Sequence, residues 1–359
     1  MFSNKLITTI FLPTLLCTLT EFRASSPDHK TAKSSQVVPV DSIDRDSQNP
    51  RPDSLETSRY SEYGISQEIF NEYKALNEKE IRYVEYKDSD SMLVVKLLQL
   101  NYINKSRVEH SVQPVRLDIL ASRVANRISK EACEQGFEGH WNTRGEKPYH
   151  RYAFAGGLDH ISENVYAMWT SGILEHSTEN YADFMHRGHD GFTAEKAPHD
   201  GHKRNCIDPH HNFVGIGCYM TSHPFRYYEE FIDRYIDFID VEKKVNAGQE
   251  FSITLKPITP AKHVCAVIVY YEPFPEPMTP AQINETASYP DFTSDVELSL
   301  GPWDINVEQE TGNCTIPMKF SRRGLYYVHI YLSDKEHRGS EFTTESKIQA
   351  SGLVISAFD

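Results

Sequence analysis

Near Asn246 the sequence changes from one periodicity to another. Downstream, FSITLKPI, HVCAVIVYYE, DVELSL, CTIPMKF, LYYVHIYL and GLVISAF are short runs rich in β-branched and aromatic residues, parted by clusters of Pro, Gly, Asn and Asp. Runs of that length make strands, and six of them within about 115 residues predict a β-sandwich, Ig-like in kind, over 246–359. Upstream, apolar residues recur at helical spacing. Leu93, Leu97 and Leu100 predict one amphipathic helix, and Leu117, Leu120, Val124 and Ile128 a second that Asp118 can cap. Tyr181, Phe184 and Met185 predict a third helix, ended near Gly188 and Gly191, and Phe213 to Tyr219 a strand. RYYEEFIDRYIDFI suits a strand by content, but its stripe of Tyr228, Phe231, Ile232, Tyr235, Phe238 and Ile239 predicts a helix. The fold class is therefore α+β, and no internal repeat is visible.

The amino-terminal end reads as an address. Lys5 precedes the apolar run Leu6 to Leu19, and small residues follow at Ala24, Ser25 and Ser26, the layout of a signal peptide over 1–24. The alternative is an uncleaved anchor. Residues 25–60 are crowded with Ser, Asp, Pro and Lys and predict a disordered leader. The expected mature protein is secreted, extracellular and without a transmembrane segment. Its Cys133, Cys206, Cys218, Cys265 and Cys314 allow at most two disulfides, with Cys265–Cys314 the preferred pair. Asn104, Asn284 and Asn313 open glycan acceptor tripeptides. With 37 basic against 51 acidic residues, a net charge of -14, the chain has no overall positive field to gather phosphates, so nucleic acid is not an expected partner.

Eleven of the 16 histidines fall between His140 and His223. Imidazole binds borderline metals and changes charge near neutral pH, so a cluster of this kind can build a cation site or a proton-transfer pair. Most histidines in such a stretch are solvated or fix loops, His210 and His211 among them, so position has to discriminate.

Over roughly residues 90–240 the order of motifs resembles the CAP superfamily of cysteine-rich secretory proteins, antigen 5 and pathogenesis-related proteins (the SCP domain), most of all its bacterial-style branch. The matching elements are Asn104 to Arg107, His140, Glu163-Asn164, Gly201-His202 and Gly215-Ile216-Gly217, with thirteen residues from His202 to Gly215. The resemblance implies a CAP-type α-β-α sandwich over 61–245 followed by the β-rich unit, with Glu163-Asn164 opening a helix. It further implies a cleft in which His140, Glu163 and His202 hold a divalent cation, zinc by donor chemistry. The family's second acidic cleft residue has no clean match in NYADFMHRGHDGFTAEKAPHDGH. Glu195 is the leading candidate, beside Asp190 and His189. Gly215 and Gly217 read as close-packing positions in a strand, since no phosphate-loop pattern surrounds them.

Three functions follow. The preferred one is a secreted, cation-dependent binding module for a small lipid, a sterol or an extracellular protein. This preference rests on the absence of HExxH, GxSxG and a Cys-His pair of catalytic pattern. In the second, a hydrolase, the His-held metal activates water and Glu163 accepts its proton. The third assigns partner binding to the β-rich half, through tyrosines around Tyr326, Tyr327 and Tyr331 if they are exposed.

Overall fold

The computed structural model describes residues 57–359 apart from 260–261, 287, 291 and 337–341. The expected signal peptide and most of the expected leader lie outside the described residues. Helices α1 (Gln67–Lys79) and α2 (Asp90–Glu109) precede a short strand β1 (Arg116–Leu117). Then come α3 (Ile119–Gln135), α4 (Pro148–Phe154), β2 (His160–Trp169), α5 (Thr178–Thr193), α6 (Gly201–Cys206), β3 (Phe213–Met220) and β4 (Pro224–Asp233). The four strands form one sheet of order β1-β3-β4-β2, antiparallel except where β1 meets β3.

Helices cover both faces of that sheet. Leu93, Leu97 and Ile103 of α2 and Met185 of α5 pack with Tyr227 and Phe231 on one side. Leu120 and Val124 of α3 and Tyr149 of α4 pack with Ile161 and Ile232 on the other. Alternate residues of β4 thus feed opposite cores, giving an α-β-α sandwich. The α3 helix starts as its sequence predicts, with Asp118 Oδ1 accepting from the Ala121 amide at 2.7 Å. It lies so close to β3 that a Cβ on Gly217 would stand 2.1 Å from the Ala125 carbonyl carbon.

Two expected helices are strands. Glu163-Asn164 lies inside β2, and RYYEEFIDRYIDFI is split between β4 and β5 (Ile236–Asp240). The reason is burial: every residue of β4 after Pro224 is buried, so its two apolar faces superimpose into a run that mimics a helical stripe.

In the second half, β5 is followed by β6 (Lys244–Asn246), β7 (Glu250–Pro257), β8 (His263–Glu272), α7 (Pro280–Asn284), β9 (Val296–Leu300) and β10 (Asn306–Val307). It closes with β11 (Cys314–Lys319), β12 (Gly324–Ser333), β13 (Ile348–Gln349) and β14 (Leu353–Phe358). All six runs marked by the sequence are strands. They make two sheets, β10-β11-β7-β5 and β6-β14-β12-β8-β9 with β13 beside β12, around Ile253, Leu255, Val267, Val269, Ile316, Val328 and Ile355. Tyr326 and Tyr327 are buried and Tyr331 partly so, so these tyrosines pack the interior and offer no aromatic surface for the third function.

The expected Cys265–Cys314 disulfide is not formed. Cys265 sits in β8 and Cys314 in β11, strands of different sheets, and both are buried free thiols. The Cys265 thiol donates to the Tyr331 carbonyl at 3.3 Å. Asn104 is no open glycan acceptor either, because its amide nitrogen and oxygen bond the Val115 carbonyl and amide at 2.9 and 2.7 Å.

The two halves share a core. Tyr149 of α4 stacks on Tyr327 of β12 with centroids 4.1 Å apart, and Lys147 Nζ lies 2.7 Å from Glu272 Oε2 at the end of β8. The stretch between β8 and β9 reaches back over the loop after α3: the Met278 amide donates to Thr143 O, and the Glu138 amide to Asn284 Oδ1.

A histidine-lined cleft at the edge of the sheet

Strand β2 is the free edge of the first sheet, and the cleft forms along it. His140 comes from the loop after α3, Glu163 from β2, Glu195 from the turn between α5 and α6, and His202 from α6. The imidazoles of His140 and His202 lie 6.4 Å apart with planes inclined by 26°. Each has a carboxylate on Nδ1: Glu163 Oε1 at 2.8 Å from His140, and Glu195 Oε1 at 2.6 Å from His202. The four residues singled out by sequence therefore come together, as two His–Glu pairs facing one another. Of the other two candidates for the second acid, Asp190 accepts instead from the Tyr102 hydroxyl at 2.7 Å, and His189 bonds Glu229.

A carboxylate on Nδ1 fixes both tautomer and ring orientation, so an ion would meet each ring through Nε2, as in carboxylate–histidine–metal sites generally. Burial would raise the Glu195 carboxyl, but the hydrogen bond from His202 outweighs it and holds Glu195 low, hence ionised. The same carboxylate accepts the His202 amide at 2.9 Å, so ring and helix start are fixed together.

Glu163 is more deeply set. Its Oε2 takes a short bond from the Arg151 guanidinium, so both carboxylate oxygens are engaged and a direct bond to an ion would cost one of these contacts. Burial raises the Glu163 carboxyl, with Arg151 opposing. Across the ladder stands Glu230 of β4, which sequence reasoning missed because its segment read as a helix. Arg151 Nη2 is 3.6 Å from Glu230 Oε1. Burial first, and then the Glu163 charge, push Glu230 well above the usual carboxylate range. Both of its carboxyl oxygens are buried without a hydrogen-bond partner, which favours the neutral acid.

Two aromatic rings flank the cleft. Phe192 of α5 lies 5.1 Å from the His202 ring, and Tyr289, from the second half, lies 4.9 Å from the His140 ring. The Tyr289 hydroxyl accepts from the Glu163 amide at 3.2 Å.

Other histidines serve the scaffold. His211 and His160 donate through Nδ1 to the two oxygens of Asp233, at 2.6 and 2.9 Å, and hold that carboxyl below its usual range against burial. The buried guanidinium of Arg107 donates to the carbonyls of Gln113, Cys206, Asp208 and His211, tying the end of α6 to α2. Beneath the sheet, His189, Cys206 and Glu229 form a separate cluster whose ligand atoms lie within 4.8 Å of one another, close enough to hold a metal ion.

Residues 100–231 match the profile of the cysteine-rich secretory protein family, CAP. The chain carries a CAP domain. Its match runs from within α2 to within β4 and takes in all four cleft residues. Among solved structures, the CAP-domain chain is similar to a 1.5 Å crystal structure of an extracellular protein containing an SCP domain from Bacillus anthracis str. Ames. The identity is 19%, the TM-score 0.28, and the likeness covers 37% of this chain and 38% of that one. No curated protein matches the chain. No helix among the described residues is long and apolar enough to cross a membrane.

Proposed function

We propose that this protein is an exported, cation-dependent binding protein. In this reading a divalent ion, zinc by donor chemistry, is bound in the CAP cleft by His140 and His202, with Glu163 and Glu195 orienting the two rings. One observation carries it: two imidazoles 6.4 Å apart, each with its Nδ1 committed to a carboxylate. Two protein nitrogens leave an ion with open positions for water or an oxygen-bearing ligand. The flanking Phe192 and Tyr289 rings favour a small amphiphile, a lipid or sterol, whose oxygen meets the ion while its apolar body meets the rings. Export rests on the Lys5 and Leu6 to Leu19 leader.

The hydrolase reading is weaker. It needs Glu163 as a proton acceptor for bound water, and both oxygens of Glu163 are already engaged by His140 and Arg151.

The test is isothermal titration of zinc into the metal-free full chain. The expected result is micromolar or tighter binding that is lost in His140→Ala and in His202→Ala. Binding that is absent from wild type, or that both variants retain, overturns the reading.

A further inference from the structure

The cluster beneath the sheet has no part in the cleft. His189 projects from α5, Cys206 ends α6 and Glu229 lies on β4, and all three are buried. Glu229 Oε1 is 2.7 Å from His189 Nδ1; Cys206 Sγ is 3.6 Å from Glu229 Oε2 and 3.9 Å from His189 Nδ1. Asn164 Nδ2 approaches both the thiol, at 3.1 Å, and Glu229 Oε2, at 3.3 Å. The Tyr227 hydroxyl donates to Glu229 Oε1 at 2.6 Å and accepts from Gln99 Nε2 at 2.7 Å.

We propose that His189 Nδ1, Cys206 Sγ and a Glu229 oxygen form a second, closed metal site, structural in role and suited to zinc. The donor set is the first reason: imidazole, thiolate and carboxylate together are what zinc takes in proteins, and thiolate disfavours magnesium and calcium. Geometry is the second. Metal–ligand bonds of about 2.0 to 2.3 Å in a tetrahedron set ligand atoms roughly 3.3 to 3.6 Å apart. With Glu229 Oε2 as the ligand oxygen, the Cys206–Glu229 separation is already 3.6 Å and the Cys206–His189 separation 3.9 Å, and the 2.7 Å bond between His189 Nδ1 and the other oxygen, Oε1, must open as an ion replaces its proton. Tyr227, on the same carboxylate, is the oxygen at hand for a fourth position.

Charge balance is the third reason. As a divalent ion enters, one proton leaves the His189–Glu229 hydrogen bond and one leaves the Cys206 thiol. Loading therefore adds no net charge to the interior, where an uncompensated charge costs most. The structural consequence is a clamp on the end of α6, a six-residue helix whose start is held by Glu195 and which also carries His202.

The experiment uses cobalt(II) as the probe, added without oxygen to the metal-free, reduced full chain. The expected result is near-ultraviolet thiolate-to-cobalt charge-transfer absorption that saturates with metal, is abolished in Cys206→Ser and persists in His202→Ala. Absence of the band in wild type, or its survival in Cys206→Ser, overturns this site and leaves the cleft untouched. Loss of cleft binding with the band intact overturns the cleft alone. Should Cys206→Ser fail to fold, alkylation of wild type in mild denaturant decides instead. Zinc is expected to slow labelling of Cys206 at least tenfold and leave Cys265 unchanged, and equal slowing at both overturns the proposal.

Discussion

Glu163 and Glu230 stand opposite one another on β2 and β4, two buried carboxyl groups served by the single guanidinium of Arg151. One positive charge cannot balance two negative ones in a dry pocket, and the pair resolves this by keeping Glu230 protonated.

A pH signature follows from that proton. The folded chain retains it where the unfolded chain releases it, so the contribution of Glu230 to stability is complete below the ordinary glutamate range and is lost as pH rises through its raised folded value. Glu230→Gln replaces the neutral acid with a neutral amide of the same shape. In chelator, the variant's urea midpoint is expected to lie within about 1 kcal/mol of wild type near pH 5 and above wild type at pH 8. Parallel midpoints across that range would show that Glu230 is ionised after all.

The contact between α3 and β3 gives a second prediction. A Cβ at Gly217 meets backbone atoms of Ala125, which cannot swing aside as a side-chain tip can. Gly217→Ala is expected to cost about 1–3 kcal/mol in urea unfolding. Gly191, in α5 with nothing within 4 Å of its Cβ position, is the control. There the same change is expected to stabilise by about 0.4–1 kcal/mol, because it restricts the unfolded chain.

These two sites differ in how far the sequence announced them. Gly215 and Gly217 were legible as close-packing residues because glycine inside a strand marks a close approach, and the α3 start was legible in Asp118 because a cap depends on neighbours in the chain. Helices α2 and α5 and the six strands of the second half likewise follow from period and turn chemistry. The failures lie in β2, where the helix start was implied by the family motif alone, and in β4, where burial on both sides erases the alternation by which an ordinary strand declares itself. With β4 taken for a helix, nothing linked Glu229 to His189 or Glu230 to Arg151. His140, Glu163 and His202 were legible only through the order of family motifs. That Glu195 partners His202 depends on how the turn between α5 and α6 folds back, which no local pattern encodes.

Glu195 tests the orienting role directly. Its carboxylate holds His202 Nδ1 and the start of α6 without being needed as a ligand itself. Glu195→Gln retains shape but loses the charge that fixes the ring, and removal of such outer partners typically weakens metal affinity by about 10–100-fold. Calorimetric titration of zinc into the cleft checks this. An unchanged affinity would make Glu195 a helix-start residue only.

Tyr289 links the cleft to the second half. It lies between α7 and β9, yet its hydroxyl is the acceptor for the Glu163 amide and its ring packs at 62° to His140. Trp141 Nε1 donates to the neighbouring Ser288 carbonyl at 3.3 Å, so the strap is held on the loop that carries His140. Tyr289→Phe keeps the ring and deletes the acceptor, leaving a partly buried amide unpaired at a cost of about 1–3 kcal/mol. Tyr289→Ala removes the ring as well and admits water to His140. Hydrogen exchange at the Glu163 amide is expected to quicken in both variants, and zinc affinity to change more in the alanine variant than in the phenylalanine one. If exchange at Glu163 is as slow in Tyr289→Phe as in wild type, the hydroxyl is not the acceptor, and the second half bounds the cleft by packing alone.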